Sequence, residues 1–364
     1  MKKIITLLCI SIFTLVACSS EDIPVTVTVT VPSATAAQAV LDGGSINVTW
    51  SAVTGAGITY NIYRNDNLVK INKAPLTEPK FTDVLTATGS YTYTITVNLS
   101  GQESPKGIAS GKVVLDLAKT ITYEGYSYST NNGTTTTTIY KDFSVLTYDS
   151  ANITKLISVS ITGTNTVNTT VSKSKEIYTY SGNLITKEET VDGDGVVKYS
   201  TIYTYNDKNK ITSRTFTSGN GYVYKSVYDY NTDGTVSSTE YSTSVSGVIV
   251  ATGDTHVYTF LNGNLVKDAS TYTSPGYNST STKAYVFDTK DAPSKYVLGF
   301  SNLLGESANL NNTISSVYTS SSSEKYTERN EFTYDANGNV LTEKVFRKQD
   351  NLPEKLSSTA TFTY

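Results

Sequence analysis

Between residues 24 and 116, apolar side chains alternate with threonine, serine and charged residues in short runs broken by Gly, Pro, Asn and Asp. A period of two puts every second side chain on one face of a pleated strand. Residues 45–50 carry Ile46, Val48 and Trp50 on one face, and residues 59–64 carry Tyr60 and Ile62 together. Residues 79–83 form a short strand, residues 90–97 alternate Tyr91, Tyr93, Ile95 and Val97 with threonines, and residues 111–115 close the unit. Strands of this length and spacing predict a β-sandwich. Trp50, the single tryptophan, falls on an alternating strand, which assigns it to the core rather than to a ligand platform.

From residue 118 the pattern changes, and 24 of the 28 tyrosines lie beyond that point. A unit recurs there: aromatic, one residue, aromatic, a polar turn, then an aliphatic strand. Tyr178 and Tyr180 open one copy, Tyr203 and Tyr205 the next, then Tyr228 and Tyr230, Tyr258 and Phe260, and Phe332 and Tyr334. Tyr285 and Phe287 open a divergent copy, and Phe362 and Tyr364 end the chain. First aromatics follow one another at 25 to 30 residues, except for one gap of 47 that contains the irregular stretch 292–312. Each unit reads as a hairpin with both aromatics on one face and Asn/Asp-Gly in the turn. A lone hairpin cannot bury that face, so neighbouring units must pair edge to edge. The expected architecture is all-β: a sandwich followed by an extended antiparallel hairpin sheet, as an open twisted sheet or half-barrel.

Composition agrees with this pattern. Hydrophobic residues make up 38% and charged residues 17%, against about 45–50% and 25% in an average domain. Threonine (59) and serine (43) fill the difference, and threonine and tyrosine suit half-exposed strands. An aromatic content of 11% argues against disorder. The net charge of -3 provides no basic footprint for nucleic acid. At 364 residues the chain exceeds the roughly 100–200 residues of one domain.

The N-terminus has the form of a secretory signal. Lys2 and Lys3 precede an apolar run over 4–16, which is shorter than the roughly 20 residues a spanning helix needs. Leu15-Val16-Ala17-Cys18 resembles the lipobox of bacterial lipoproteins. The resemblance implies a signal peptide over 1–17, cleavage after Ala17, lipid attachment at Cys18 and a tether over 18–23. Cys9 is lost with the signal, so Cys18 is the one cysteine left and no internal disulfide forms. Two or three acyl chains give stable membrane attachment. Glu21 and Asp22 resemble the export signal of Bacteroidetes lipoproteins, which implies an outer-membrane anchor facing the cell exterior.

Two further resemblances cover the rest. With Trp50, the strand from Tyr60 to Arg64, and Tyr91 or Tyr93 as a tyrosine corner, residues 24–116 resemble a fibronectin type III domain. No Arg-Gly-Asp is present there. Tyr334-Asp335 with Gly338, and more loosely Tyr228-Asp229 with Gly234, resemble the YD repeats of the Rhs and teneurin families over 118–364. Six or seven units are too few for the closed shells of those families.

Groups with catalytic chemistry are scarce. His256 is the only histidine and is expected on a solvent-facing strand, so neither a histidine triad nor a multi-histidine metal site can form within one chain. Asp192-Gly193-Asp194-Gly195 and residues 335–339 offer oxygen ligands but lack the terminal glutamate of an EF-hand, and they read as hairpin turns. Asp149-Ser150-Ala151 resembles the O-glycosylation acceptor of Bacteroidetes exported proteins. Catalytic, cofactor and metal residues are therefore not assigned. The expected function is a non-enzymatic, surface-exposed lipoprotein presenting a β-rich binding or structural module, held to the membrane by acylated Cys18. A glycan-binding accessory role, a periplasm-facing lipid carrier and a hydrolase with a carboxylate pair are the alternatives.

Overall fold

A computed structural model describes residues 30–65, 69–131, 134–167, 171–243, 247–322 and 325–364. Cys18, Ala17, Glu21 and Asp22 lie outside the described residues. Nine short strands come first: β1 (Ala37–Asp42), β2 (Ser45–Trp50), β3 (Thr59–Arg64), β4 (Val69–Lys70), β5 (Lys80–Val84), β6 (Gly89–Tyr91), β7 (Tyr93–Leu99), β8 (Gln102–Glu103) and β9 (Val113–Leu115). They form a three-stranded sheet β1-β2-β5, a four-stranded sheet β4-β3-β7-β8 and the pair β6-β9. The alternating residues meet between the sheets, where Ile46, Val48, Ile62, Tyr93, Ile95 and Val97 are fully buried. Trp50 belongs to this core, edge-on to Tyr60 at 5.3 Å.

Sixteen longer strands follow: β10 (Thr120–Asn131), β11 (Thr134–Tyr148), β12 (Leu156–Asn165), β13 (Ser172–Ser181), β14 (Leu184–Asp192), β15 (Val197–Tyr205), β16 (Ile211–Ser218) and β17 (Val223–Tyr230). The second half comprises β18 (Val236–Thr243), β19 (Ile249–Leu261), β20 (Asn264–Ser274), β21 (Tyr277–Asp291), β22 (Asn311–Ser320), β23 (Tyr326–Tyr334), β24 (Val340–Gln349) and β25 (Lys355–Thr363). Each pairs antiparallel with its chain neighbours, and β25 pairs with β10 (Ile121 with Phe362, Tyr123 with Ala360), which closes a barrel. The expected open sheet or half-barrel is therefore incorrect. An up-and-down array of hairpins reads the same along the chain whether open or closed. Closure requires an even strand number, so that the first and last strands run opposite, and closure removes both exposed edges.

The two faces of the wall follow from the register. One row runs Tyr178, Glu188, Thr201, Phe216, Tyr224, and another Tyr203, Arg214, Ser226, Glu240. The opposite face carries Thr179, Lys187, Ile202, Thr215, Lys225 and Tyr241. The segment between β21 and β22, with two 3₁₀ turns at Phe300–Asn302 and Glu306–Ala308, identifies the inner face. Phe300 packs on Tyr178 of β13 at 5.8 Å, while Glu306 accepts hydrogen bonds from Lys283 and Tyr285 of β21. Strands eight positions apart in a sixteen-strand ring are diametrically opposed, so this segment crosses the lumen as a bar. The stretch that is irregular in sequence thus fills the barrel, with Val297, Leu303 and Ala308 buried.

Candidate functional site: the barrel lumen

The outward face is built for water. Lys187 with Glu189, Glu124 with Lys141, and Arg329 with Glu331 form ion pairs along it, and Lys175, Lys267 and Lys344 are exposed. Threonines alternate with them in nearly every strand. A lipid-facing barrel carries a continuous apolar band, and one lysine or arginine at mid-membrane costs about 2–4 kcal/mol. Ile202 and Val257 stand singly on this face, and the exposed pair Phe143 and Val145 on β11 is flanked by Thr120, Thr122, Ser160 and Thr162, so no continuous apolar band forms there.

Inside, one end is shut. The backbone N–H of Leu298 donates to the Thr154 carbonyl (2.7 Å), and the Tyr180 hydroxyl donates to the Leu298 carbonyl (3.2 Å). The Leu265 N–H donates to Asn309 Oδ1 (2.7 Å) on the other side. Gly299 sits in the left-handed region (φ 83), and an added Cβ would lie 2.9 Å from Ile185 Cγ1. The sandwich abuts this end: Asn337 and Asn339 amides donate to Asp116, at 3.2 and 2.8 Å.

Above the bar lie two adjoining cavities of about 320 and 280 Å³ that share Arg214, Tyr228 and Leu304. Together they fall in the size range of small-ligand sites, roughly 300–1,000 Å³. Their walls combine aromatic rings with polar groups. Tyr203 donates to Glu188 (2.7 Å), and Glu240 accepts from Ser226 (2.6 Å) and Ser238 (2.7 Å). Burial, reinforced by Glu176 and Glu188 at Tyr178 and by Glu188 at Tyr203, pushes both phenols well above their ordinary value, so both stay neutral donors. Burial likewise raises the Glu176 and Glu343 carboxyls. Among the described residues no carboxylate forms an ion pair with Arg214, which is exposed within the lumen.

Toward the other mouth, aromatic rings are left uncovered. Tyr199, Phe216 and Tyr224 form a ladder across β15, β16 and β17, with centroids 5.7 and 6.3 Å apart, and Tyr222 stacks on Tyr224 at 6.4 Å. Tyr199 and Tyr224 are about half exposed, at 50% and 51%. Tyr272 with Tyr277 (6.0 Å) and Tyr318 with Tyr326 (4.8 Å) continue the aromatic lining on β20 to β23. In sequence, Tyr199, Phe216 and Tyr224 fall outside the recurring aromatic pairs, and only the register brings them together.

The histidine expectation needs correction. His256 faces inward, because Ser238 and Ser270 flank it on the luminal row, and its Nδ1 lies 2.8 Å from Asp268 Oδ1. The hydrogen bond to Asp268 raises its pKa against the opposing effect of burial. The acidic loops are turns: Asp192 Oδ1 accepts the N–H of Asp194 (3.0 Å) and Val196 (2.9 Å), and Asp335 Oδ1 accepts those of Asn337 and Asn339. Asp149 caps its own turn in the same way, accepting the Ala151 N–H at 2.7 Å. Among the described residues, no group of three or more His, Cys, Asp or Glu side chains is arranged to hold a metal.

No family model and no curated protein matches the chain. Among solved structures, a porin-like protein from Bacteroides uniformis aligns at 15% identity and a TM-score of 0.42, covering 68% of this chain and 96% of that one. A porin-like protein from Bacteroides vulgatus aligns at 14% identity and 0.40, covering 68% and 99%. The rhamnogalacturonan lyase YesW aligns at 14% identity and 0.20, covering 86% and 76%. Likenesses of this size carry no inference about what the chain does.

Proposed function

We propose that this chain is a non-enzymatic outer-membrane lipoprotein, displayed on the cell surface, whose barrel is a glycan-binding module. In this reading cleavage follows Ala17, Cys18 carries the lipid, and Glu21 and Asp22 direct export. The sandwich is read as fibronectin type III-like. Its support is the strand order together with a Tyr91 hydroxyl that donates to the Ala87 carbonyl, four residues upstream, as a tyrosine corner does. The barrel is read as degenerate YD repeats, with the aromatic pairs as support.

The observation that carries the binding half is the exposed ladder Tyr199–Phe216–Tyr224 beside Arg214. Uncovered aromatic rings on an inner wall are costly unless something covers them. A sugar ring offers an apolar C–H face to such a platform and hydroxyls at its rim that need both donors and acceptors. Arg214 supplies donors; Glu188 and Glu240 supply acceptors. A lipid-carrier lumen would instead be lined without interruption by apolar side chains.

The test is affinity electrophoresis of the soluble chain through gels containing laminarin, galactomannan, xyloglucan or dextran. At least one is expected to retard the protein. Phe216→Ala or Tyr224→Ala should weaken retardation about tenfold or more, equivalent to roughly 1.4 kcal/mol, while Lys225→Ala on the outer wall should not. Free migration in all four overturns the glycan reading.

A further inference from the structure

We infer that the lumen takes the end of a neutral glycan chain rather than its interior, an inference that rests on the glycan reading above. Arg214 and Phe216 are two residues apart on the luminal face of β16, about 6–7 Å along the strand. A sugar stacked on Phe216 with its next unit at Arg214 therefore points down the barrel axis, from the open mouth toward the bar. One step deeper, the cavity ends on Phe300, Leu303 and Leu304. These residues cannot step aside independently, because the bar is fastened at both walls. Leu298 is held to Thr154 and Tyr180 on one side, and Glu306 to Lys283 and Tyr285 on the other. A chain that reaches Arg214 has nowhere to continue, so the unit in the deepest position is terminal.

Charge narrows the class. Arg214 enters the cavities with Glu188 and Glu240, and His256 enters with its own counter-charge Asp268 at 2.8 Å, so a uronate would meet more carboxylates than unpaired cations. A neutral sugar uses Arg214, Glu188 and Glu240 as hydrogen-bond partners without that repulsion.

Laminarin, galactomannan, xyloglucan and dextran, each intact and as its own partial acid hydrolysate, are titrated into the soluble chain at equal mass. Hydrolysis multiplies chain ends while leaving the mass of sugar unchanged. The expected result, for a polymer that binds, is an apparent affinity per mass that rises in proportion to the number of ends. It should lie within about twofold for intact and hydrolysed material when expressed per end. Equal affinity per mass overturns end recognition while leaving glycan binding standing. Absence of binding by all eight preparations overturns both. Carboxylated forms of the same hydrolysates, made by oxidising primary hydroxyls, should bind at least tenfold more weakly; equal or tighter binding overturns the preference for neutral chains.

Discussion

The Tyr205 hydroxyl donates a 2.7 Å hydrogen bond to the carbonyl of Ile185, the fully buried residue that follows the turn of the preceding hairpin. The same link recurs around the barrel, from Tyr148 to Ala118, Tyr180 to Leu156 and Tyr230 to Ile211. In the units of Tyr180, Tyr205 and Tyr230 the second aromatic therefore fastens its own hairpin to the one before it, whereas Phe260 and Phe287 have no hydroxyl to do so and Tyr334 donates to Asp288 instead. Burial pushes the Tyr205 phenol up to about 12, which keeps the donor protonated at all ordinary pH values. Tyr205→Phe removes only the hydrogen bond and should cost about 1 kcal/mol. Tyr205→Ala also removes the ring and should cost about 3 kcal/mol. Urea denaturation monitored by near-UV circular dichroism measures both; equal, near-zero effects would show that the link holds nothing.

Gly299 is the hinge on which the bar rests against the wall. Alanine there meets both the positive φ and the Ile185 side chain, so Gly299→Ala should destabilise the protein by about 2 kcal/mol. Hydrogen exchange should show the loss concentrated in residues 292–310. Unchanged protection there would remove the basis for a fixed bar.

The hairpin alphabet of this fold was legible in the sequence, and the closed lumen was not. Alternation and Asn-Gly turns located strands such as β2, β3, β13 and β20, because Asn262 and Gly263 (φ 52 and 79) satisfy a local backbone requirement. Barrel closure depends on the pairing of Ile121 with Phe362, 241 residues apart, and no local pattern encodes it. The direction faced by His256 was missed for a related reason. Period two says only that neighbours point oppositely, so inside and outside are assigned only once the lumen exists. Tyr199, Phe216 and Tyr224 lie off the repeat, which is why the uncovered platform did not stand out among 28 tyrosines.

His256 makes stability pH-dependent. Its folded pKa is raised, first by the hydrogen bond to Asp268. The stabilisation is therefore fully present below the unfolded histidine value of about 6.5 and is lost as pH rises through the folded value. Denaturation midpoints should fall over that window in the wild type, and His256→Gln should abolish that part of the slope. Persistence of the full slope in the variant would assign it to other groups.

A water-facing wall predicts that residues 19–364 remain soluble and monodisperse without detergent. Light scattering tests this. Aggregation reversed only by detergent would mean that the outer wall seeks lipid despite Lys187, Lys225 and Lys267.

The inward and outward faces can be distinguished directly, because residues 19–364 contain no cysteine of their own. Arg214→Cys, inside, and Lys225→Cys, outside, are each treated with a small maleimide and with a maleimide carried on a folded protein. A closed barrel with an accessible lumen predicts that both sites react with the small reagent and only position 225 with the large one. Equal reaction of both positions with the large reagent would mean that the sheet is open and the lumen does not exist.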